Sequence, residues 1–466
     1  MSLEEYMSEL KGQIRDKSAG MLVSDEISAH IEEQAELYRQ TGMDREAALS
    51  KAVEDMGDPV SVGADLDRIH RPHMEWRYLI FIMFISALSI VIQYLIAGEM
   101  DSRTITGNVF YDISRRHIIG ILAGIITMFL VYRIDYTVLL GRSRLIGGIF
   151  MAVVTLIAAA FGFRINGSSG IIRIGFVSFS LRALMMVYIP VFAGILYELR
   201  GKDKRVMAQI VFWMILPVIS TFFTGDLSIP SALFILFAET VLIFIAVHKN
   251  WYGINKKIVY GGFSAAFAAL IMAGIAFIYR LNTYQSARFA NWLSNLGIGS
   301  GITDDTGINY INARLGRVFA CSAVIGKSDE AVGIMSDLPG YWSDLVVGST
   351  AAVCGLIMVA GIIICMLALA MYMIIISARQ KNSLGYITGC ACGIVVALQS
   401  ISNIMIVFGL LPMTGSSLPI FTSSISFSIV DYAMIGMVLS IYRYKDIRGD
   451  RSQQNIRNGG KQEITA

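Results

Sequence analysis

The sequence predicts an all-α, polytopic membrane protein, with about ten transmembrane helices behind a small N-terminal cytoplasmic helical domain. Apolar runs of about 20 residues, the length that crosses ~30 Å of hydrocarbon, recur along most of the 466 residues. Hydrophobic residues make up 55% of the chain and charged residues 16%, whereas soluble proteins have about 45–50% and about 25%. The chain also has 43 glycines but only 8 prolines, and glycine lets membrane helices pack closely.

Residues 1–72 differ in composition from the rest and are predicted to form the small helical domain. They are polar and carry charges of both signs, which predicts neither a signal peptide nor a span. Ser24 is predicted to cap a helix that runs to Arg39, and Asp44 to start the next helix. Asp58, followed by Pro59 at the first helical position, is predicted to cap another.

Ten apolar runs after this domain are long enough to span a bilayer. Their predicted ranges are 76–98, 118–133, 144–162, 183–200, 207–223, 229–248, 258–279, 346–376, 386–410 and 426–442. The membrane domain is therefore expected to cover residues 76–445. A tail of residues 446–466 is expected to be disordered.

Positively charged residues cluster at one side of this predicted bundle. They are Arg142, Arg144, Arg200, Lys202, Lys204, Arg205, Lys249, Lys256, Lys257, Arg379, Lys381, Arg443, Lys445 and Arg448. The positive-inside rule places this side, and with it both termini, in the cytoplasm. The opposite side carries a short polar loop from Phe163 to Arg182 and a large loop of residues 280–345. Such a long loop in a compact membrane protein is usually functional.

Charge and cysteine content argue against other classes of function. The net charge of +3 is too small to favour a nucleic-acid partner. The 5 cysteines form no C-x-x-C motif and have no metal-ligand spacing, so no metal site is expected.

Short motifs follow one another in a fixed order along the membrane domain. Gln399 and Asn403 precede the run Gly409-Leu-Leu-Pro412-Met-Thr-Gly415-Ser-Ser-Leu-Pro419. Earlier matching residues, in chain order, are Asp135, Asn166, Arg280, Arg288, Tyr310, Leu338, Pro339, Asp344 and Gly355. In this order, residues 76–445 resemble the SEDS family (FtsW/RodA/SpoVE) of bacterial peptidoglycan glycosyltransferases. The front segment, with Gly57-Asp58-Pro59, resembles a permease-prefix (HAAS-type) domain.

The chain departs from the SEDS pattern at several positions. Ala183 and Met186 stand where the family has Glu and Lys, and Ala352 and Val353 replace a pair of Glu residues. Phe421-Thr-Ser-Ser replaces the family's Ser-Tyr-Gly-Gly. The sequence is therefore a divergent relative of the family.

The resemblance implies an inverting glycosyltransferase that polymerises a lipid-linked disaccharide-peptide precursor at the outer face of the bacterial cytoplasmic membrane. Such enzymes serve cell division, cell shape or sporulation. An acceptor hydroxyl attacks the anomeric carbon as lipid pyrophosphate leaves, which requires a base and positive charge. Asp344 is the predicted base, although an N-cap of the following helix is an alternative. The predicted substrate-binding residues are Arg280, Arg288, Tyr310, Asn166, Gln399, Asn403, Pro412, Gly415 and Pro419.

Further charged residues are weaker candidates. Arg173, Arg182, Arg314 and Arg317 are either pyrophosphate ligands or interfacial anchors near anionic lipid. Glu239 and Asp431 lie within predicted spans, so each is expected to face the interior of the bundle.

The resemblance also implies partners: the lipid-linked precursor, a class B penicillin-binding transpeptidase and membrane lipid. It names no certain cofactor, and a requirement for a divalent cation stays open. Two other functions are retained. The missing Glu and Lys favour a catalytically weakened relative that acts as a scaffold or regulator. Glu239 and Asp431 weakly favour a transporter or flippase of a lipid-linked substrate.

Overall fold

The computed structural model describes residues 1–15, 17–69, 73–101, 109–165, 168–174, 177–201, 206–224, 229–257, 259–262, 264, 310–411 and 416–445. The chain divides into two compact units. One contains Met1–Glu75 with Gln380–Asn382 and the described residues from Ile441 onward. The other, the membrane unit, contains Trp76–Arg379 and Ser383–Ser440.

The N-terminal unit contains four helices: α1 Leu3–Gln13, α2 Lys17–Gln40, α3 Arg45–Asp55 and α4 Pro59–Ile69. Two predicted helix starts are confirmed. Asp44 accepts a hydrogen bond from the amide of Glu46 at 3.4 Å, and Asp58 accepts one from the amide of Ser61 at 3.0 Å.

The predicted cap at Ser24 is wrong, because Ser24 lies inside α2. Ala19 and Val23 are buried on the same stripe as Ile31 and Ala35. Their spacing of four and eight residues continues one helix face toward the N-terminus. Burial of this longer stripe extends the helix to Lys17, a tertiary effect that outweighs the local preference of serine for a cap.

The membrane unit contains the other described helices, except that the last three residues of α18 belong to the first unit. They are α5 Trp76–Asp101, α6 Val109–Arg133, α7 Tyr136–Leu140, α8 Ser143–Phe161, α9 Leu181–Met186, α10 Tyr188–Glu198, α11 Val206–Thr224, α12 Ile229–His248, α13 Tyr310–Cys321, α14 Asp329–Ser336, α15 Val346–Cys354, α16 Leu356–Ala378, α17 Ser383–Val407 and α18 Ile425–Arg443.

Eight stretches of the described chain are long and apolar enough to cross a membrane. They are Trp76–Met100, Asp112–Arg133, Ser143–Phe161, Leu181–Glu198, Ser231–His248, Leu356–Ala378, Ser383–Val407 and Ile425–Arg443. A shorter apolar helix covers Val206–Ser220. The predicted span 258–279 falls almost wholly outside the described residues, as does the tail 446–466. The predicted multi-pass, all-α class is confirmed.

The predicted single span 346–376 is wrong, since the chain breaks at Gly355 between α15 and α16. Gly355 has a φ of +91°, and a Cβ there would lie 2.9 Å from the backbone of both Val324 and Ile325. The amides of Leu356 and Ile357 donate to the carbonyls of Ala323 and Val324 at 3.0 and 3.1 Å. The apolar run continues through Gly355, so hydropathy gives no sign of the break. The break is required by the backbone of residues 323–325, which packs against Gly355.

The short polar loop between α8 and α9 contains a small antiparallel sheet, β1 Gly162–Ile165, β2 Ser168–Ile174 and β3 Val177–Ser180, in the order β1-β2-β3. Ile172 pairs with Phe179 and Ile171 with Ser180. The sequence predicted only a short polar loop here. Cross-strand pairing satisfies backbone groups of the paired residues, and β3 leads directly into α9.

Candidate functional site

Asp344 lies in a tight turn, residues 340–345, just before α15. The turn is closed by Gly340, which has a φ of +80°. Its carbonyl accepts hydrogen bonds from the amides of Ser343 and Leu345 at 3.0 and 3.1 Å. Ser349, one turn into α15, donates its hydroxyl to the carbonyl of Tyr341 at 2.7 Å. This "Asp344 turn" is therefore fixed at both ends.

The alternative interpretation of Asp344 as a helix cap is wrong. The N-cap of α15 is Leu345, and no side chain caps that helix. Asp344 thus lies outside the cap position, because the turn about Gly340 shifts the start of α15 to Val346. Its carboxylate has no capping duty.

The environment of Asp344 suits a general base. The side chain is half-buried. Burial raises the pKa of Asp344, and this effect exceeds the lowering by the charge of Arg182 and by the hydroxyl of Ser343. A carboxylate with a raised pKa takes up a proton more readily, as general base catalysis near neutral pH requires.

Arg182 supplies positive charge near this carboxylate. It lies in the first turn of α9, whose start is fixed by a 3.1 Å hydrogen bond from the amide of Ser180 to the hydroxyl of Ser426. The motif match favoured Arg280 and Arg288 over Arg182, but those two residues fall outside the described part of the chain. Among the described arginines, Arg182 is the one whose charge acts on Asp344.

Tyr310, a predicted binding residue of the large loop, contacts another side chain of that loop. Tyr310 starts α13, and its ring lies under the guanidinium of Arg314, 4.9 Å from ring centre to Cζ. Arg314 also forms an ion pair with Asp337 at 3.4 Å. The binding role of Tyr310 stays a prediction. Asn166, Pro412 and Gly415 lie outside the described residues.

Gln399, Asn403 and Pro419 are buried by protein rather than open to a ligand. The side-chain amide of Asn403 donates to the carbonyl of Asp344 at 2.8 Å and to that of Ser416 at 2.5 Å. Asn403 thus joins the Asp344 turn to residues 416–424, the "416–424 segment" that includes Pro419. Substrate contact by these three residues stays a prediction.

Three polar residues that were not predicted from the sequence hold the same two segments. Gln93 of α5 donates its amide to the carbonyls of Trp342 and Phe421 at 3.0 and 2.6 Å. Ser89 donates to the carbonyl of Ile420 at 2.9 Å. The ring of His117 contacts Ser89 at 2.8 Å and the carbonyl of Thr422 at 3.1 Å. A neutral polar residue inside an apolar span is the signal that would have found them, since such residues need a buried partner.

Glu239 and Asp431, the two intramembrane carboxylates, face the interior as expected. They are 0% and 1% exposed, and no hydrogen-bond partner of their carboxylate oxygens is found within the described residues. Asp431 neighbours the amide of Gln399 and the backbone of Ile420. Glu239 interacts electrostatically with Tyr188, whose hydroxyl donates to the carbonyl of Trp213 at 2.8 Å.

Within the described part of the chain, no group of three or more His, Cys, Asp or Glu side chains could hold a metal ion.

These features define a multi-pass helical membrane protein with a half-buried carboxylate just before a short helix outside its spans, and with an arginine in the first turn of one span. The FtsW/RodA/SpoVE family model, described as "Cell cycle protein", matches residues 75–447. The chain belongs to this family. No curated protein matches the sequence.

Solved structures share the fold at low sequence identity. A chain from the work "Structural coordination of polymerization and crosslinking by a peptidoglycan synthase complex" matches with a TM-score of 0.63 and 18% identity, covering 80% of this chain and 99% of its own. The rod shape determining protein RodA of Thermus thermophilus matches with a TM-score of 0.53 and 17% identity, covering 80% and 97%. An alanine variant of that RodA matches with a TM-score of 0.54 and 16% identity, covering 80% and 98%.

Proposed function

We propose that this protein is a peptidoglycan glycosyltransferase that polymerises a lipid-linked disaccharide-peptide precursor. Family membership over residues 75–447 supports the general activity. The observation that carries the proposal is the half-buried Asp344 carboxylate. It has no capping role, and the charge of Arg182 lowers its pKa.

In the proposed reaction, Asp344 accepts the proton of the acceptor sugar hydroxyl as its oxygen bonds to the anomeric carbon of the donor. The bond from that carbon to the lipid pyrophosphate breaks, and inversion follows from attack on the opposite face. Arg182, with Arg280 and Arg288, would neutralise charge on the departing pyrophosphate, since guanidinium binds phosphate oxygens in a bidentate manner.

The site would lie at the outer face of the cytoplasmic membrane, with both termini in the cytoplasm. The distribution of positive residues supports this orientation. A class B penicillin-binding transpeptidase is the proposed partner, because one structural neighbour comes from a peptidoglycan synthase complex that couples polymerisation to crosslinking.

The test is polymerisation of purified lipid-linked precursor by the full chain, alone and with candidate transpeptidases. Loss of a general base lowers the rate by about 10²–10⁴-fold, so Asp344→Asn should fall to that extent. Asp337→Asn is the matched control, because Asp337 is an exposed carboxylate of the same loop paired with Arg314. Equal activity of wild type and Asp344→Asn would remove Asp344 as the base.

A scaffold or regulator is the second candidate. Ala183 and Ala352, which replace family glutamates, are both fully buried, so neither position offers a carboxylate to a substrate. A protein that makes no polymer with any partner, yet still binds a transpeptidase, would establish this function. Movement of labelled precursor across proteoliposomes would instead establish the flippase.

A further inference from the structure

Two buried side-chain amides join the Asp344 turn to the 416–424 segment. Gln93 of α5 bridges the carbonyls of Trp342 and Phe421. Asn403 of α17 bridges the carbonyls of Asp344 and Ser416. Each amide donates both of its hydrogens, and each links one carbonyl of the turn to one carbonyl of the segment. We call these contacts the "two amide bridges".

The bridges hold the backbone at Asp344 and two residues before it. The carbonyl of Trp342 accepts a second hydrogen bond, from the amide of Ser423 at 3.3 Å, so Trp342 is tied to the segment twice. Ser343 is closed onto Gly340 within the turn. The direction of the Asp344 side chain follows from its backbone, which therefore depends on both bridges.

Burial makes these bridges specific. Gln93 is 1% exposed and Asn403 is 0% exposed, so water does not replace a lost donor readily. An unpaired buried carbonyl is unfavourable, and it is far more so in an apolar surrounding than at a wet surface. A glutamine in a membrane-crossing helix is itself unfavourable without partners. The bridged arrangement of the two segments is therefore strongly preferred over others.

Support from α5 and α6 extends along the same segment. Ser89, one turn before Gln93, holds the carbonyl of Ile420, and His117 holds that of Thr422. Ile420 has a φ of +65°, which a β-branched residue rarely adopts. Such strain persists where the surroundings over-determine the backbone, often at functional sites.

We propose that Gln93 is a positioning residue of the Asp344 site. It acts through the carbonyl of Trp342 to aim the carboxylate at the acceptor hydroxyl and touches no substrate itself. This role rests on the proposed function, because it presumes that Asp344 is the base. A shift of about 1 Å at a reacting group costs about 10²-fold in rate, so loss of the bridge lowers turnover rather than binding.

The experiment compares Gln93→Met with Leu95→Met in the full chain. Methionine keeps the length of the Gln93 side chain but has no hydrogen to donate. Leu95 lies on the same helix with 43% exposure, so its replacement controls for methionine in α5. Polymerisation kinetics give kcat and KM separately, and hydrogen exchange reports on the amides of residues 341–345 and 420–424.

The expected result is a fall in kcat of at least tenfold for Gln93→Met, with KM within twofold of wild type and the thermal midpoint in detergent retained. Exchange in residues 341–345 accelerates at least fivefold, whereas exchange in α16 is unchanged. Leu95→Met behaves as wild type in each measurement. Unchanged exchange in 341–345, or an unchanged kcat in an active protein, overturns the positioning role.

If the protein is not a glycosyltransferase, the polymerisation and exchange results differ from those expected above. If wild type makes no polymer with any partner but Gln93→Met still loosens 341–345, the enzyme assignment fails and Gln93 is shown to organise only the backbone. If kcat, KM and thermal midpoint all change together, the variant has unfolded. Gln93→Asn then decides: an asparagine keeps the donors on a shorter arm, and without partial rescue of exchange protection the proposal is rejected.

Discussion

The hydrogen bonds that cap helices of the N-terminal unit join residues close in sequence, whereas those that Gln93 and Asn403 donate at the Asp344 site join residues far apart in sequence. In the N-terminal unit, helix starts depend on residues two or three positions apart, such as Asp58 with Ser61. At the site, Gln93 contacts residues 249 and 328 positions away, and Asn403 contacts one 59 positions away. Local signals thus define the first region, whereas the second exists only once distant helices have packed.

The solvent of each region explains this difference. Helix caps at a water-exposed surface contribute only about 1 kcal/mol each, because water competes for the same groups. The amides of Gln93 and Asn403 are 1% and 0% exposed, so water hardly competes with them and a single side chain can hold a whole segment. Substitutions should therefore have local effects in the first region and effects on the site in the second.

The largest expected effect is a difference in destabilisation between alanine variants of two glycines with positive φ, one in the N-terminal unit and one in the membrane unit. A Cβ added at Gly355 would meet backbone atoms of Val324 and Ile325 at 2.9 Å, whereas one added at Gly57, with a φ of +81°, would meet nothing within 4 Å. Gly57→Ala should cost about 1–2 kcal/mol, the strain of positive φ alone. Gly355→Ala should cost clearly more, since neither backbone neighbour has a side-chain rotamer with which to move away.

Thermal unfolding of the full chain in detergent, with hydrogen exchange in each unit, measures both changes. Gly361→Ala is the control, as Gly361 lies within α16 with open space around it. A smaller destabilisation by Gly355→Ala than by Gly57→Ala would contradict the packing of residues 323–326 on the break between α15 and α16.

The next expected effect is a change in the pH dependence of polymerisation, caused by a substitution at the Asp344 site. Arg182 lowers the pKa of Asp344, so Arg182→Gln removes that lowering and the pKa rises further. The base works only when ionised, which means that activity is present above its pKa and is lost as pH falls through it. The acid limb of the pH–rate profile should move to higher pH.

Polymerisation rates of wild type and Arg182→Gln across a pH series measure this shift, and Arg379→Gln, at the C-terminal end of α16, is the arginine control. An acid limb that stays in place, with activity lowered equally at every pH, would mean that Arg182 binds the leaving group without acting on Asp344.

The smallest effect is expected in the N-terminal unit. Asp58→Ala removes the cap of α4, which costs about 1 kcal/mol and should speed exchange of the first α4 amides by roughly fivefold. Asp65→Ala, an exposed acidic residue later in the same helix, should change little. Polymerisation should be unaffected by both. A loss of polymerisation with Asp58→Ala would show that the N-terminal unit acts on the site.

Much of this protein could be predicted from its sequence, because the relevant signals are local or repetitive. Span length and hydropathy predicted the multi-pass class, and the caps at Asp44 and Asp58 followed from residue type at the helix start. The family, too, followed from ordered motifs. Asp344 was found by such a motif, although its role as base stays a proposal.

Only the tertiary structure decided how the site is assembled. It showed that α15 starts after Asp344, that Gly355 divides one apolar run into two helices, and that Arg182 is the described cation acting on the carboxylate. It also placed Gln93 and Asn403 on the backbone around Asp344. The physical reason is that a buried carbonyl accepts a hydrogen from whichever donor the packing brings near. Residue spacing along the chain carries no record of that choice.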